Sequence, residues 1–215
     1  VILHVPTAWV AVIAFTVSAV FSGRYLWRRR SVDDDRATAA AECGLLFTFL
    51  ATLTGMFFSQ IAWGVAWNWD PRQVTIFILL LIYAALFALR AAIDDPERRR
   101  TLGAVYALFA FVTMPFLMFV APRLADSTLH PNCAFIQGSD CDGITLGLGK
   151  VGLERGEVLL NIEAPGTGLL ANQRTLWVFL AANVGFTALF VWMFLVRAQV
   201  LGLEAQLERR KVALA

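Results

Sequence analysis

Residues 74–89 read VTIFILLLIYAALFAL, a run of sixteen residues without a single charged side chain. A helix needs about 20 largely apolar residues to cross roughly 30 Å of hydrocarbon, since each residue advances the helix by about 1.5 Å. An uninterrupted apolar run is not typical of a soluble helix, which carries polar residues along its outer face. The stretch therefore predicts a membrane span.

Four further stretches have the same character, in a chain of 215 residues that is 59% apolar and 16% charged. Soluble domains average about 45–50% apolar and 25% charged residues. We therefore predict an all-α fold, a polytopic transmembrane helix bundle that forms one membrane-embedded domain over residues 1–215. The predicted spans are about 5–26, 39–61, 74–89, 102–120 and 176–196, with a large outer loop at about 122–174 and a tail at 197–215.

The basic residues orient the predicted spans, because Lys and Arg accumulate in cytoplasmic segments. Thirteen of the eighteen lie after span one, after span three or in the tail, and five lie on the other side. The first group is therefore predicted to be cytoplasmic. The start of span one, the segment after span two and the outer loop then face outward. No soluble basic surface suggests nucleic acid.

The two ends of the chain carry separate expectations. The sequence opens VILHVP almost inside the first span, so we expect a further segment, a sixth span, before Val1 in the natural protein. The stretch 196–212 has apolar residues at helical spacing with charges between them, which predicts that the last span continues as an amphipathic cytoplasmic helix. The alternative is a docking helix for a cytoplasmic partner.

The only two histidines, His4 and His130, each stand close before a proline. Proline favours a turn or a helix start at such a position, so each imidazole is predicted at a span mouth rather than in mid-membrane. A single histidine there is usually a capping or interfacial residue. The orientation predicted from the basic residues, however, places both histidines on the outward face of the membrane. Histidine is a common axial ligand of haem iron.

On the same face lies WGVAWNWDPR, residues 63–72, with three tryptophans in seven residues. Asp70, Pro71 and Gln73 predict a helix start, with Asp70 and Gln73 forming a capping box. The tryptophans fit either an interfacial belt or a platform for a flat ligand. Arg72 could pair with a carboxylate of that ligand, or it could snorkel or pair with Asp70.

These motifs resemble the tryptophan-rich WWD family of cytochrome c assembly proteins, and within it the CcmC type. LHVPTAW resembles the family's first histidine motif, WGVAWNWDPR its WWD signature and TLHP its second histidine motif, in the same order. Ala66 stands where the family pattern usually has another tryptophan. The stretch after His130 is also longer than expected, and its segments ITLGLG and EVLLNI could form a hairpin.

The resemblance implies that His4 and His130 are the axial ligands of a non-covalently and transiently bound b-type haem at the periplasmic face of a bacterial inner membrane. It implies that haem passes to a periplasmic chaperone of the CcmE type, with ABC transporter subunits like CcmA and CcmB and a small membrane protein like CcmD as partners. It leaves open whether such an assembly factor counts as an enzyme. The implied porphyrin-contacting residues are Trp63, Gly64, Trp67, Trp69 and Asp70, with Arg72 for a propionate.

The three cysteines have separate interpretations. Cys133 and Cys141 lie in the outer loop, where an oxidising compartment permits a disulfide, although free or redox-active thiols are the alternative. Cys43 is predicted to be a small core residue of span two. Three other functions stay open: a membrane cytochrome b in electron transfer, a haem-exporting permease subunit, and a structural subunit whose tryptophans form only a belt.

Overall fold

The computed structural model describes residues 3–124 and 173–214, and within these ranges every regular element is helical. Five of the helices are long and apolar enough to cross a membrane, which confirms the all-α bundle and makes the chain a multi-pass membrane protein. The helices are α1 (His4–Arg28), α2 (Ser31–Trp63), α3 (Pro71–Ala91), α4 (Pro96–Pro115), a π-helical turn (Phe116–Val120), α5 (Ala121–Leu124) and α6 (Gln173–Leu214).

The helices are longer than the apolar stretches because polar residues at their ends favour helix as well. Asp33 and Asp34 lie in the first turn of α2, where a carboxylate interacts favourably with the helix dipole. The side chain of Asp70 caps α3 by accepting a hydrogen bond from the backbone N–H of Arg72, and Pro71 occupies the first helical position, as predicted. The cap of α4 is formed in the same way by Asp95.

The helices α1 and α2 form the centre of the bundle. They pack along most of their length, with α4 against α1, α3 against α4 and α2, and α6 against both central helices. Alanines at the contact, including Ala14 and Ala40, have no exposed surface and let the backbones approach closely. At the centre the rings of Phe15 and Tyr83 stack with centroids 3.6 Å apart.

The chain connects the helices so that the bundle has two chemically different ends. The end that the basic residues predict to face outward, called the outer end, carries His4 and the connection from α2 to α3, which we call the tryptophan loop (residues 64–70). The opposite end, called the inner end, carries the connection between α1 and α2 and the connection between α3 and α4. Pro115 and the π-helical turn that follows it lie at the end of α4 nearer to His4. Such π-helical turns often occur at functional sites.

Helix α6 runs without a break from Gln173 to Leu214, so the predicted continuation of the last span as a helix is confirmed. The guanidinium of Arg197 binds the carboxylate of Glu42 through two hydrogen bonds and ties α6 to α2 within the bundle. Cys43, beside Glu42, is buried and not in a disulfide, as predicted for a core residue.

Several predictions fall outside the described residues. They are the hairpin, the Cys133–Cys141 disulfide, the position of His130 and most of the predicted outer loop at about 122–174. The two ends of that predicted range belong to helices, since α5 ends at Leu124 and α6 begins at Gln173.

Candidate functional site

His4 begins α1 and is held in place by the backbone of α2. Its ring nitrogen Nδ1 lies 2.8 Å from the carbonyl oxygen of Ala51 and 3.5 Å from the hydroxyl of Thr54. A carbonyl oxygen can only accept, so Nδ1 carries the proton in this hydrogen bond. In the neutral imidazole the lone pair then lies on Nε2, and the hydrogen bond fixes the ring orientation.

Gly55 gives the imidazole the space it occupies. A Cβ atom placed on Gly55 would lie 2.8 Å from Cε1 of His4 and 3.2 Å from Nδ1. Both distances are shorter than a comfortable van der Waals contact of about 3.5–4.0 Å. Any side chain at position 55 therefore requires the imidazole or the helix to move, so the absence of a side chain at Gly55 allows His4 to take its position.

The tryptophan loop is fastened to both helices that it joins. Gly64 ends α2 with a φ of 75°, a left-handed conformation that glycine adopts without strain. Ser59 and Gln60 of α2 donate to the carbonyl oxygens of Val65 and Gly64, at 2.6 and 3.0 Å. The loop is thus a defined turn, although it contains no regular secondary structure.

Gln73, in the first turn of α3, makes the other attachment. Its amide nitrogen donates to the carbonyl oxygen of Ala66, and its amide oxygen accepts from the backbone N–H of Asn68 at 3.0 Å. The backbone N–H of Asp70 donates instead to the side-chain oxygen of Asn68. The capping box predicted for Asp70 and Gln73 is therefore wrong in its second half, because Gln73 reaches two residues further and holds the loop.

The three tryptophans have different surroundings. Trp67 lies against both Trp69 and Phe77, with edge-to-face ring contacts at 5.7 and 6.2 Å. Trp63, the last residue of α2, contacts Phe58 instead. Trp69 has a φ of 59°, which is unusual for an aromatic residue, and its side chain is 73% exposed. Trp67 and Trp69 therefore contact each other, while Trp63 packs on Phe58 at the end of α2.

A cavity of about 130 Å³ brings the predicted residues His4, Trp67 and Arg72 together. Of the other predicted residues, Gly64 and Asp70 shape the loop, while Trp63 and Trp69 do not line the cavity. Sequence reasoning missed several lining residues, because nothing in a single span marks the positions that face a cavity formed together with other spans. These are Ala8, Ala51, Thr52, Gly55, Met56, Gln73, Thr75, Ile76 and Met118.

The side chains around this cavity have the chemistry that binds an iron porphyrin. The cavity is large enough for one edge of such a ring. They provide an imidazole with a lone pair on Nε2, an indole face and a guanidinium that can pair with a carboxylate. Small-molecule sites usually enclose roughly 300–1,000 Å³. The described residues, with about 130 Å³, have room for one edge of a ligand as large as a porphyrin.

Comparison with known proteins bears on this arrangement. Residues 1–140 match the family model of CcmC, described as heme exporter protein C, and this range includes α1 to α5 with the entire cavity. The chain belongs to the CcmC family. The family match does not include α6, which lies beyond residue 140.

Individual members named "Heme exporter protein C" are similar over shorter ranges. The protein of Bradyrhizobium diazoefficiens is 40% identical over 118 residues, which cover 54% of this chain and 44% of that protein. The Rhodobacter capsulatus protein is 38% identical over 110 residues, with 51% and 46% covered. The Escherichia coli protein is 31% identical over 139 residues, with 64% and 55% covered. The match thus spans about half the length of these relatives.

Proposed function

We propose that this chain handles haem for the maturation of c-type cytochromes, binding it at the outer end of the bundle and passing it to a partner. The relatives' printed name, heme exporter protein C, concerns haem. The observation that carries the proposal is the shared cavity. The histidine of one family motif and the tryptophan and arginine of another, far apart in sequence, line the same small space.

His4 acts as an axial ligand of haem iron in this proposal. The hydrogen bond from Nδ1 to the Ala51 carbonyl raises the basicity of the imidazole and directs Nε2, since second-shell acceptors orient and tune metal-bound histidines. His130 is the proposed second ligand. Bound haem supplies the iron and the planar ring, while this chain supplies orientation and contacts.

Trp67 and Arg72 hold the ligand's edge. The indole of Trp67, fixed between Trp69 and Phe77, offers a rigid apolar face. Arg72 pairs with a propionate carboxylate through forked hydrogen bonds. Trp69 covers the exposed part of the ring, and Gly64 and Asp70 keep the loop in shape, while Trp63 has the least direct role of the predicted residues.

The small cavity favours transfer over permanent storage. The described residues would hold a b-type haem non-covalently by one edge, and in this proposal a second protein takes the haem over from them. We propose a periplasmic chaperone of the CcmE type as that recipient. CcmA-like and CcmB-like transporter subunits and a CcmD-like small protein are the other proposed partners, in the inner membrane of a bacterium with the outer end facing the periplasm.

A transfer experiment tests the proposal. The full chain is purified in detergent, loaded with haem and mixed with the purified apo-chaperone, and both are separated and scanned for haem absorbance. We expect haem to leave this chain and appear in the chaperone. A protein that takes up no haem, even with partners present, would support the structural-subunit alternative and contradict the proposal.

Two outcomes would support other functions. Rapid reduction of bound haem by quinol, without transfer to the chaperone, would indicate a membrane cytochrome b. Haem flux into vesicles that contain this chain alone would indicate a permease.

A further inference from the structure

A second, larger cavity lies at the inner end, away from the site described above. It has a volume of about 640 Å³, within the usual range of about 300–1,000 Å³ for small-molecule sites. Its walls come from the beginnings of α2 and α4, the end of α3 and the inner part of α6. Since the family match ends at residue 140, the α6 wall lies outside the part shared with the CcmC family model.

Besides Asp34 and Asp35 of α2 and Arg90 of α3, the cavity has a basic and an acidic side. Arg99 and Arg100 lie on the α4 side, and Glu204 and Glu208 lie on the α6 side. A purely anionic ligand would meet the two glutamates, and a purely cationic ligand would meet the arginines. A ligand that carries one charge of each sign satisfies both sides.

The opposite charges do not neutralise each other across the space. In residues 3–124 and 173–214, α4 and α6 do not pack together, and no ion pair joins Arg99 to either glutamate. Glu204 lies 4.0 Å from Arg197 and Glu208 lies 2.8 Å from Lys211, both on α6 itself. The α4 side and the α6 side therefore stay separated, with Arg99 directed to the space between.

The floor of the cavity is rigid. The carboxylate of Asp34 is 3% exposed and binds both terminal nitrogens of Arg90, at 2.9 and 2.8 Å. Arg100 lies 3.8 Å from the same carboxylate, which leaves its remaining N–H groups for another acceptor. A buried, bidentate ion pair of this kind fixes the geometry around it.

The cavity lies at the depth of lipid headgroups. Arg99 precedes the predicted apolar stretch of α4, which starts near residue 102, by three residues or about 4.5 Å of helix. The headgroup region adds about 5–7 Å to each side of the hydrocarbon. On α4, Leu102 follows Arg99 by one turn, and Val105 follows by a second, and both are exposed. A headgroup at Arg99 would thus continue into apolar surface.

We propose that this cavity binds the headgroup of a zwitterionic phospholipid with a primary ammonium group, of the phosphatidylethanolamine type. Its phosphate contacts Arg99 and Arg100, and its ammonium contacts Glu204 and Glu208. Its acyl chains lie along Leu102 and Val105 between α4 and α6. Basic pockets between transmembrane helices bind lipid headgroups in other proteins, and the glutamates here select against headgroups with only negative charge. This site does not depend on the proposed haem function.

Native mass spectrometry tests the proposal. The full chain is placed in bilayers with equal parts of phosphatidylethanolamine, phosphatidylglycerol and phosphatidylcholine of matched acyl chains, then released and weighed with its retained lipids. We expect retained phosphatidylethanolamine to exceed the other two lipids. Glu204→Gln should lower this preference by about two- to fivefold, as for loss of one exposed charge contact, whereas Arg99→Gln should lower the retention of all three lipids, because they share the phosphate.

Arg98→Gln is the matched control, because Arg98 neighbours Arg99, is exposed and does not line the cavity. It should leave the lipid preference unchanged. Equal retention of phosphatidylglycerol, or an equal loss in the control, would overturn the proposal. Displacement of the lipid by an equal concentration of glycerophosphoethanolamine would also contradict it, since acyl chains would then contribute nothing.

Discussion

The two ends of the bundle fix their side chains in opposite ways. At the outer end, neutral hydrogen bonds to backbone carbonyls hold His4 and the tryptophan loop around about 130 Å³. At the inner end, the buried Asp34–Arg90 ion pair braces a cavity of about 640 Å³. Neutral hydrogen bonds tolerate displacement more easily than a buried charge tolerates loss of its partner. The inner end should therefore determine stability, and the outer end should determine binding.

The largest effect is expected from Asp34→Ala. Removing this carboxylate leaves the guanidinium of Arg90 in a largely buried position without its partner, which costs about 3–5 kcal/mol. Thermal unfolding of the purified protein should show a much lower midpoint. Asp94→Ala is the control, because Asp94 is exposed in the connection between α3 and α4. Similar midpoints for the two variants would show that the inner end does not govern stability.

Gly55→Ala should affect binding far more than folding. The added methyl group would meet the His4 ring at 2.8 Å and displace it from the Ala51 carbonyl. Changes in the second shell of a metal site lower affinity by about 10–100-fold, so haem affinity should fall by at least about tenfold. Gly23→Ala, in α1, is the control, since a methyl group there meets nothing within 4 Å. An unchanged haem affinity in Gly55→Ala would show that the position of the His4 ring does not control haem binding.

A pair of tryptophan variants sharpens the assignment within the outer end. Trp67 lines the cavity and contacts Trp69 and Phe77, whereas Trp63 contacts Phe58 on α2. Loss of one aromatic contact is worth about 0.5–1.5 kcal/mol, so Trp67→Ala should weaken haem binding by about fivefold. Trp63→Ala should change the measured affinity less. The reverse order would assign the stronger haem contact to Trp63.

The most local effect is expected from Gln73→Ala, which should act on the tryptophan loop and not on the rest of the bundle. This variant removes two hydrogen bonds that hold Ala66 and Asn68, together worth about 1–3 kcal/mol locally. Amide hydrogen exchange at residues 65–70 should accelerate while α1 keeps its protection. Gln60→Ala removes a single, exposed bond to Gly64 and should accelerate exchange less. Uniform acceleration through the whole bundle would mean that Gln73 acts on global stability.

The sequence predicts the helices well because hydropathy acts within each segment. Sixteen uncharged residues at 74–89 are enough to predict α3, and Asp70 and Pro71 are enough to predict its start. The side-chain arrangement depends on contacts between distant segments. Ala51 and Gly55 look like ordinary span residues, and only the packing of α1 on α2 brings them to His4.

The surroundings of the three tryptophans also depend on the fold and not on residue type alone. Trp63, Trp67 and Trp69 are the same residue type, but Trp63 packs against Phe58 on α2, whereas Trp67 contacts Trp69, whose φ is positive. No local pattern predicts a positive φ at an aromatic residue. The predicted partner of Gln73, the backbone N–H of Asp70, is also wrong. A glutamine at this position can accept either from the capping residue or from the loop before it, and the residue type alone does not distinguish the two.

The absorption spectrum of haem bound to His4→Ala tests the central claim most directly. The wild-type protein, loaded with haem and measured in its oxidised and reduced forms, should show the bands of a six-coordinate bis-histidine iron. In His4→Ala these bands should be lost or shifted, and added imidazole should restore them. An unchanged bis-histidine spectrum in His4→Ala, with the protein folded and haem bound, would contradict the assignment of His4 as an iron ligand.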